Sequence, residues 1–214
     1  DGFYRSSGDY LLFINNDCEI KNDVLSPLLK YIDKNKSAGL LTGKVRGKDG
    51  RYSGAHKLFP SLTRSLFGNK FARMISKHKF ISPKESVTTP TKVQVVTGAF
   101  MFFERSLFID IGGFDTNFFL YCEEEDISIR VWKSGKAVYI LPEPDLIHNH
   151  GSSSKTNSEL IKHEYYISYK KLVFKHYNFI YASIMLAMTY IKIFKFFVQG
   201  KCSTDLLILA LKGF

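Results

Sequence analysis

The length and composition of the chain suit one globular domain, since it has 214 residues, 45% hydrophobic and 15% aromatic. The net charge of +10 favours an anionic partner, namely a nucleotide, a lipid diphosphate or an anionic membrane surface. The three scattered cysteines argue against a disulfide framework or a Cys-based metal site and indicate a reducing compartment. The start does not resemble a signal peptide and opens close to a strong strand, so we expect the chain to be a piece of a longer protein.

A strand, a helix and a second strand are predicted near the start. Tyr10–Ile14 is a short apolar run typical of a buried strand. Asp23 is the predicted N-cap of the helix, and Gly39 is predicted to end it before a strand over 40–45. The order strand, helix, strand favours an α/β sheet. The apolar stripe of this helix consists of Leu25, Leu28, Leu29 and Ile32.

The middle of the chain is less regular. Residues 46–92 are basic and interrupted by prolines, which predicts short helices and loops in a flap or insertion. One long strand is predicted over 93–103, and a short helix over 106–111.

Two further elements are predicted before the tail. An acidic helix is expected from about residue 123 to 133, with Gly135 as its stop signal. A strand over 137–141 is expected to be closed by Pro142, followed by a loop over 145–156.

The tail over 157–214 is predicted to be helical, and its span 178–191 is almost uncharged. An in-plane helix at a membrane surface is the first interpretation. A membrane-spanning helix is the second, because Lys192 and Lys195 could snorkel beside a slightly longer apolar stretch. A helix packed on the domain or on a partner is the third.

Four consecutive acids, Glu123, Glu124, Glu125 and Asp126, begin the acidic helix. Such close like charges raise one another's proton affinity. Solvation at an exposed helix start, where acids also favour the positive end of the helix dipole, would offset this. The alternative is a reaction that needs a carboxylate base.

Polar residues follow two predicted strands. Asp17 and Asn15 come directly after the first, where a carboxylate could hold a divalent ion against a diphosphate, or where they could form a simple turn. His148 follows the last strand and could bind a metal, contact a phosphate or be an ordinary loop histidine. His150 could equally be the functional imidazole.

Together these motifs resemble the latter part of a family 2 glycosyltransferase with the GT-A fold, especially the bacterial rhamnosyltransferase-like members. Their order is a strand-end acid, Thr97-Gly98-Ala99, the turn 112–115, the acidic helix and the histidine loop. The resemblance covers most of residues 8–155. It implies an α/β, GT-A-like mixed sheet flanked by helices, incomplete at its N-terminus, with a C-terminal helical tail.

The resemblance also implies the site. Asn15 and Asp17 stand at the family's Asp-x-Asp metal motif, with Asn replacing the first Asp. His148 matches the late metal-ligand histidine, and Gly151 and Ser153 fit the pattern after it. Glu124 takes the position of the catalytic base. The remaining assignments are Glu123 and Asp126 in the catalytic acidic motif and Gly98 and Ala99 beside the donor sugar.

The predicted function is therefore inverting transfer of a sugar from a nucleotide-sugar donor, with Mn²⁺ or Mg²⁺, to a glycan or lipid-linked acceptor. Residues 1–156 would form the catalytic portion, and 157–214 a membrane-associated tail at the cytoplasmic face of the cell membrane. The alternative is a non-catalytic basic membrane-binding module or an inactive fragment. Nucleic acid is not an expected partner, because the basic residues form no regular stripe and the acidic helix would repel phosphates.

Overall fold

The computed structural model describes residues 2–52, 55–75, 85–149 and 158–200, together with 203–204 and 207–208. The chain packs as two compact units. The first unit comprises Asp1–Phe59, Phe80–Asp115 and Glu124–His150, and the second comprises Pro60–Lys79, Thr116–Glu123 and Gly151–Phe214. The predicted domain boundary near residue 156 lies outside the described residues.

A mixed sheet organises the first unit. Among the described residues, five strands follow the order β1-β7-β3-β8-β2, and β5 also pairs with β8. β3 and β8 are parallel, whereas the other pairings are antiparallel. The strands of this sheet are β1 (Tyr10–Ile14), β2 (Cys18–Ile20), β3 (Ala38–Arg46), β5 (Thr91–Val93), β7 (Phe100–Glu104) and β8 (Ala137–His148). The predicted mixed α/β sheet is confirmed, although β1 is an edge strand and only partly buried.

The last strand is longer than predicted. β8 runs through Pro142 to His148, so the prediction that Pro142 closes it is wrong. β8 can pass close to β3 beyond Pro142 because residue 43 on β3 is a glycine. A Cβ at residue 43 would lie 2.5 Å from the Cβ of Pro144 and 2.6 Å from its carbonyl oxygen. The β3–β8 register shifts at this point and then continues. His148 therefore lies at the end of a strand, not in a loop.

The predicted single strand over 93–103 is also wrong. It consists of β5, β6 (Val95–Val96) and β7, and the turn at Gly98 and Ala99 precedes β7. The cause is tertiary pairing: β5 pairs with β8, β7 pairs with β1 and β3, and β6 leaves that sheet to pair with β4 (His56–Lys57). Local apolar composition does not report which neighbour a strand will have.

Short helices flank this sheet. α1 (Gly2–Arg5) and α4 (Arg105–Asp110) are short, and α2 (Leu25–Lys34) begins where Asp23 Oδ1 accepts hydrogen bonds from two backbone N–H groups. Val24 occupies the N-cap position predicted for Asp23, while the Asp23 side chain binds the first N–H groups from one residue earlier. Leu28 and Ile32 are buried, whereas Leu25 is largely exposed.

Gly39 does not end the first helical unit, because it lies inside β3. A Cβ at this position would approach side-chain atoms of Leu107, Val131 and Lys136 to within 2.7–2.9 Å. Close packing of the sheet against α4 and the acidic helix therefore explains this glycine. The acidic helix is α5 (Glu123–Lys133), as predicted, and Gly135 follows it with a φ of 82°.

The second unit is helical among the described residues. It contains α3 (Leu62–Ile75), which is kinked at Gly68, and the tail helices α6 (Ser158–His176) and α7 (Phe179–Val198). The predicted helical tail is confirmed. Tyr181 accepts a hydrogen bond from the N–H of Leu62 (2.9 Å), which fastens α7 to the start of α3. The second unit has its own apolar cluster, whose buried residues are Val173, Ala182, Met185 and Leu186.

Candidate functional site

A strand-end cluster brings together the acid and the imidazole predicted to bind metal. Oδ1 of Asp17 lies 3.1 Å from Nε2 of His148, and Nδ2 of Asn15 lies 3.4 Å from the same nitrogen. Cys18 joins them, since one ligand atom each of Asp17, Cys18 and His148 lies within 4.8 Å of the others. His148 is buried, and Asp17 and Cys18 are half-buried.

Backbone hydrogen bonds hold this cluster. β1 ends at Ile14, and the next N–H, that of Asn15, donates to the carbonyl of Ala99 (3.0 Å). The N–H of Cys18 donates to Asn15, which closes the turn that carries Asp17. β2 then pairs with β8, with Cys18 opposite His148. The antiparallel register therefore brings residues 17 and 148 together despite their separation in sequence.

The donor set fits a divalent cation. Mg²⁺ at an octahedral site binds oxygen ligands at about 2.1 Å, so adjacent ligand atoms lie about 3 Å apart. The 3.1 Å between Asp17 Oδ1 and His148 Nε2 is such a separation. A carboxylate with an imidazole suits Mn²⁺ as well. Burial raises the pKa of the Cys18 thiol, and the nearby negative charge of Asp17 adds to this shift.

A second cluster contains the predicted base. Nζ of Lys57 lies 2.5 Å from Oε1 of Glu124 and 3.2 Å from Oε1 of Glu125. The two carboxylate side chains are only 9% and 12% exposed. Burial raises the pKa of Glu125, and repulsion from Glu124 adds to this, while Lys57 opposes both. Glu124 and Glu125 are thus buried and paired, so the alternative of a solvated helix start is wrong for these two acids.

Asp126 has a different environment. Its Oδ2 accepts hydrogen bonds from Nε (2.9 Å) and Nη2 (2.6 Å) of Arg130, as the spacing of four residues predicts. The pair is not on the helix surface, because Asp126 is fully buried. Nη1 of Arg130 also donates to the carbonyls of Ile111 and Gly113, each at 2.5 Å. These bonds fasten α5 to the Gly-Gly turn.

Backbone pairing connects the two clusters within the first unit. β4 carries Lys57, and the N–H of Thr97 donates to the carbonyl of Ala55 just before that strand (2.9 Å). Two residues later Ala99 accepts from Asn15. Glu124 is therefore linked to the strand-end cluster through β4 and the 97–99 turn. A cleft shared by both clusters stays a prediction.

The other predicted site residues have less distinctive surroundings. Ala99 is buried, and its carbonyl supports the 15–18 turn; Gly98 is half-buried in the same turn. Their contact with a donor sugar stays a prediction. Glu123 begins α5 and is half-buried. His150, Gly151 and Ser153 lie outside the described residues.

Sequence reasoning missed Lys57 and Cys18. Lys57 lies in the basic region 46–92, predicted to be a flap or insertion, and its side chain binds two carboxylates. Arg46 of the same region pairs with Asp145 at 2.8 Å. No local pattern marks Lys57 among the other basic residues, since its partners are 67 and 68 positions away. Cys18 had one usable signal, namely its position beside Asp17.

Comparison with known proteins gives consistent relatives. The model of "Glycosyl transferase family 2" matches residues 1–112. Rhamnosyltransferase WbbL of Escherichia coli (strain K12) is 33% identical over 147 residues, which are 68% of this chain and 54% of that protein. The N-acetylglucosaminyl-diphospho-decaprenol L-rhamnosyltransferase of Mycobacterium tuberculosis (strain ATCC 25618 / H37Rv) is 24% identical over 160 residues, or 72% of this chain and 52% of that protein. The chain spans about half the length of these curated relatives.

A solved structure shares the fold. GalNAc-T7, in a crystal structure with UDP, GalNAc and Mn²⁺, aligns with a TM-score of 0.54 at 17% identity, covering 80% of this chain and 32% of that one. The family match contains Asn15, Asp17, Gly98 and Ala99, whereas Glu124 and His148 follow it. Because that match covers just over half of the 214 residues, the chain belongs to glycosyl transferase family 2.

Proposed function

We propose that this protein is an inverting glycosyltransferase that moves a sugar from a nucleotide-sugar donor to a hydroxyl group of a lipid-linked or cell-surface glycan. The observation that carries the proposal is the pairing of Asp17 with His148 at the ends of two strands, 3.1 Å apart. Both named relatives are rhamnosyltransferases, which favours an L-rhamnosyl donor. The decaprenol in one relative's name favours a lipid-diphosphate acceptor.

Asp17 and His148 would hold the divalent metal, with the amide of Asn15 beside them. When bound there, Mn²⁺ or Mg²⁺ would neutralise charge on the departing nucleoside diphosphate. The carbonyl of Ala99 accepts a hydrogen bond from the N–H of Asn15. The turn at Gly98 and Ala99 is the proposed contact surface for the donor sugar.

Glu124 is the proposed general base. The acceptor oxygen attacks the anomeric carbon while the bond to the diphosphate breaks, and the carboxylate of Glu124 takes the acceptor proton. One displacement with one base inverts the anomeric configuration. Asp126 does not take part in proton transfer; with Arg130 it holds the helix on which Glu124 lies.

The membrane is the proposed location of the acceptor. α7 is long and apolar enough to cross a membrane by length and composition, with mean hydropathy 1.4, although a packed helix of a soluble protein passes the same test. Several of its large apolar side chains are exposed, and Lys192 and Lys195 lie among them. These features support attachment to the cytoplasmic face of an anionic membrane. Those that are more than half exposed are Phe179, Ile180, Ile191, Phe194 and Val198.

The test is sugar transfer by the full-length gene product, with nucleotide-activated L-rhamnose and a lipid-diphosphate-linked N-acetylglucosamine acceptor. Glu124→Gln is expected to lower kcat at least about 100-fold, because the base is lost. Asp17→Ala is expected to lower activity similarly and to weaken Mn²⁺ binding, measured by calorimetry. Undiminished transfer by both variants would sink the proposal.

The matched controls are Glu143→Gln and Asp110→Ala, which remove exposed acids of the same unit. Both should keep the activity of the unchanged protein within about twofold, since exposed substitutions away from special features have small effects. The anomeric configuration of the product, read by NMR, tests inversion separately. A retained configuration would contradict the single displacement.

A further inference from the structure

We propose that Lys57 is a positioning residue for the base: its ammonium group fixes the carboxylate of Glu124 and supplies its counter-charge, while Glu125 is a second, buried anchor for the same ammonium group. This inference rests on the proposed role of Glu124. It assigns a function to a residue of the basic region 46–92 that the sequence did not distinguish.

The contacts carry the proposal. Lys57 is the last residue of β4, and β4 is held by its pairing with β6, so the lysine projects from a fixed strand. Its Nζ contacts Oε1 of Glu124 at 2.5 Å and Oε1 of Glu125 at 3.2 Å. One ammonium group thus serves two carboxylates on adjacent helix positions. Charge-assisted bonds of this kind fix a side chain more strongly than neutral ones.

Burial explains why the cation is needed. Two adjacent carboxylates that are nearly inaccessible to water cannot both be ionised cheaply without a counter-charge. Oε2 of Glu125 is buried with no hydrogen-bond partner among the residues that the structure describes, which disfavours its charged form. Its raised pKa, caused first by burial and then by Glu124, agrees with this. Burial therefore favours the protonated form of Glu125, and the positive charge of Lys57 opposes this.

The cation itself stays charged. Burial lowers the pKa of Lys57, but attraction and hydrogen bonds from the two glutamates outweigh this, and the net pKa is raised. The lysine side chain is also 44% exposed, whereas the glutamates are not. Lys57 is thus the most solvent-exposed of the three side chains. Lys57 can hold the carboxylate of Glu124 while its own side chain remains partly exposed to solvent.

Both β4 and α5 bring charged groups to Lys57, Glu124 and Glu125. From β4, Lys57 faces the two glutamates. On α5 itself, Glu123 precedes them, and Asp126 is engaged by Arg130. Removing the positive charge therefore leaves the negative charges of the helix to act on Glu124. This change raises the proton affinity of its carboxylate, and a base must lose its proton before it can work.

The test is the pH profile of kcat in the full-length gene product. Lys57→Met is expected to move the acidic limb upward by about one to two pH units, the size of shift that an opposite charge causes. At pH values on the acidic limb kcat should fall by about tenfold or more and recover at higher pH, while KM for the donor stays within about twofold. Lys57→Gln, which keeps a hydrogen-bond donor without the charge, should move the limb in the same direction.

Two variants separate charge from packing. Lys57→Arg keeps the positive charge, so its acidic limb should stay where it is in the unchanged protein, with kcat within about threefold. Glu125→Gln removes a negative neighbour and leaves Lys57 to Glu124, so its limb should stay or move downward. An unmoved limb in both Lys57→Met and Lys57→Gln overturns the proposal, even if their thermal stability falls. An upward shift in Lys57→Arg overturns it too.

The Glu124 and Lys57 variants together distinguish failure of this inference from failure of the proposed function. If Glu124→Gln keeps full transfer activity, Glu124 is not the base and the function assignment fails together with this inference. If Glu124→Gln is inactive while both uncharged Lys57 variants keep the original pH profile, only the role of Lys57 is wrong.

Discussion

Gly43 determines where His148 lies. A methyl group on residue 43 would meet the backbone of Pro144 as well as its ring, with the carbonyl oxygen only 2.6 Å away. Backbone atoms cannot move aside as the end of a flexible side chain can. Residue 43 therefore sets the path of β8 four residues before the imidazole.

Gly43→Ala is expected to lower the free energy of unfolding by about 1–3 kcal/mol, because an overpacked site must shift its backbone. It should also weaken Mn²⁺ affinity, since the shift is passed along β8 to His148. Urea denaturation and calorimetry measure the two effects.

Gly39→Ala is the matched control for this prediction. It places a methyl group against Leu107, Val131 and Lys136 on the same strand, away from the β8 proline. It should reduce stability without a selective loss of Mn²⁺ affinity. Equal metal affinity in the Gly43 variant and the unchanged protein would contradict the link to His148.

Individual residues were predictable to different degrees. The resemblance pointed to Asp17 and His148, and the structure brings these two side chains together. Lys57 could not be found, because a lysine in a basic stretch carries no sign of a carboxylate partner 67 residues away. The role of Gly43 was equally hidden, since the need for a glycine arises only when β8 passes beside it.

Among the elements, α5 depends most on one buried ion pair. Arg130 binds Asp126 through two nitrogens and donates to the carbonyls of Ile111 and Gly113. Since Asp126 is fully buried, replacing Arg130 would remove the guanidinium group that binds its carboxylate.

Arg130→Met is expected to lower the free energy of unfolding by about 3–5 kcal/mol, the usual cost of removing one partner of a buried ion pair. Guanidinium denaturation measures it. Lys133→Met, an exposed change one turn later, is the control and should stay within about 0.5 kcal/mol. A loss below about 1 kcal/mol in the Arg130 variant would show that the turn and helix hold together without this pair.

The sequence predicted helices better than strands. α5 has its predicted bounds, because the helical pattern and the glycine after it are local signals. The strands over 93–103 and 137–148 were misjudged, because their ends depend on which neighbour they pair with. Pro142 is tolerated inside β8 although proline commonly ends a strand.

The net charge of the whole molecule and the exposed apolar face of α7 both favour the proposed binding to an anionic membrane. The chain carries +10 overall, and large side chains of α7 such as Phe179 and Ile180 are more than two-thirds exposed. An anionic bilayer would satisfy both features, since lipid headgroups attract lysines and acyl chains accept apolar side chains.

We expect the full-length gene product to float with vesicles that contain an anionic lipid, and less so as salt concentration rises. Ile180→Glu combined with Ile191→Glu should reduce flotation at least about tenfold. Ile109→Glu changes an exposed isoleucine on α4 of the first unit and is the control. Flotation that persists in the double variant would assign α7 to packing against protein.

The pairing of β2 with β8 limits the insertions that the strand leading to His148 can accept during evolution. Cys18 lies opposite His148, and successive side chains of a strand point to alternate sides. Inserting a single residue between Pro144 and His148 would turn the imidazole away from Asp17 while leaving most of the sheet paired. Inserting two residues would restore the side but move the imidazole about 6.6 Å along the strand, so the pairing of His148 with Asp17 requires this stretch to keep its length.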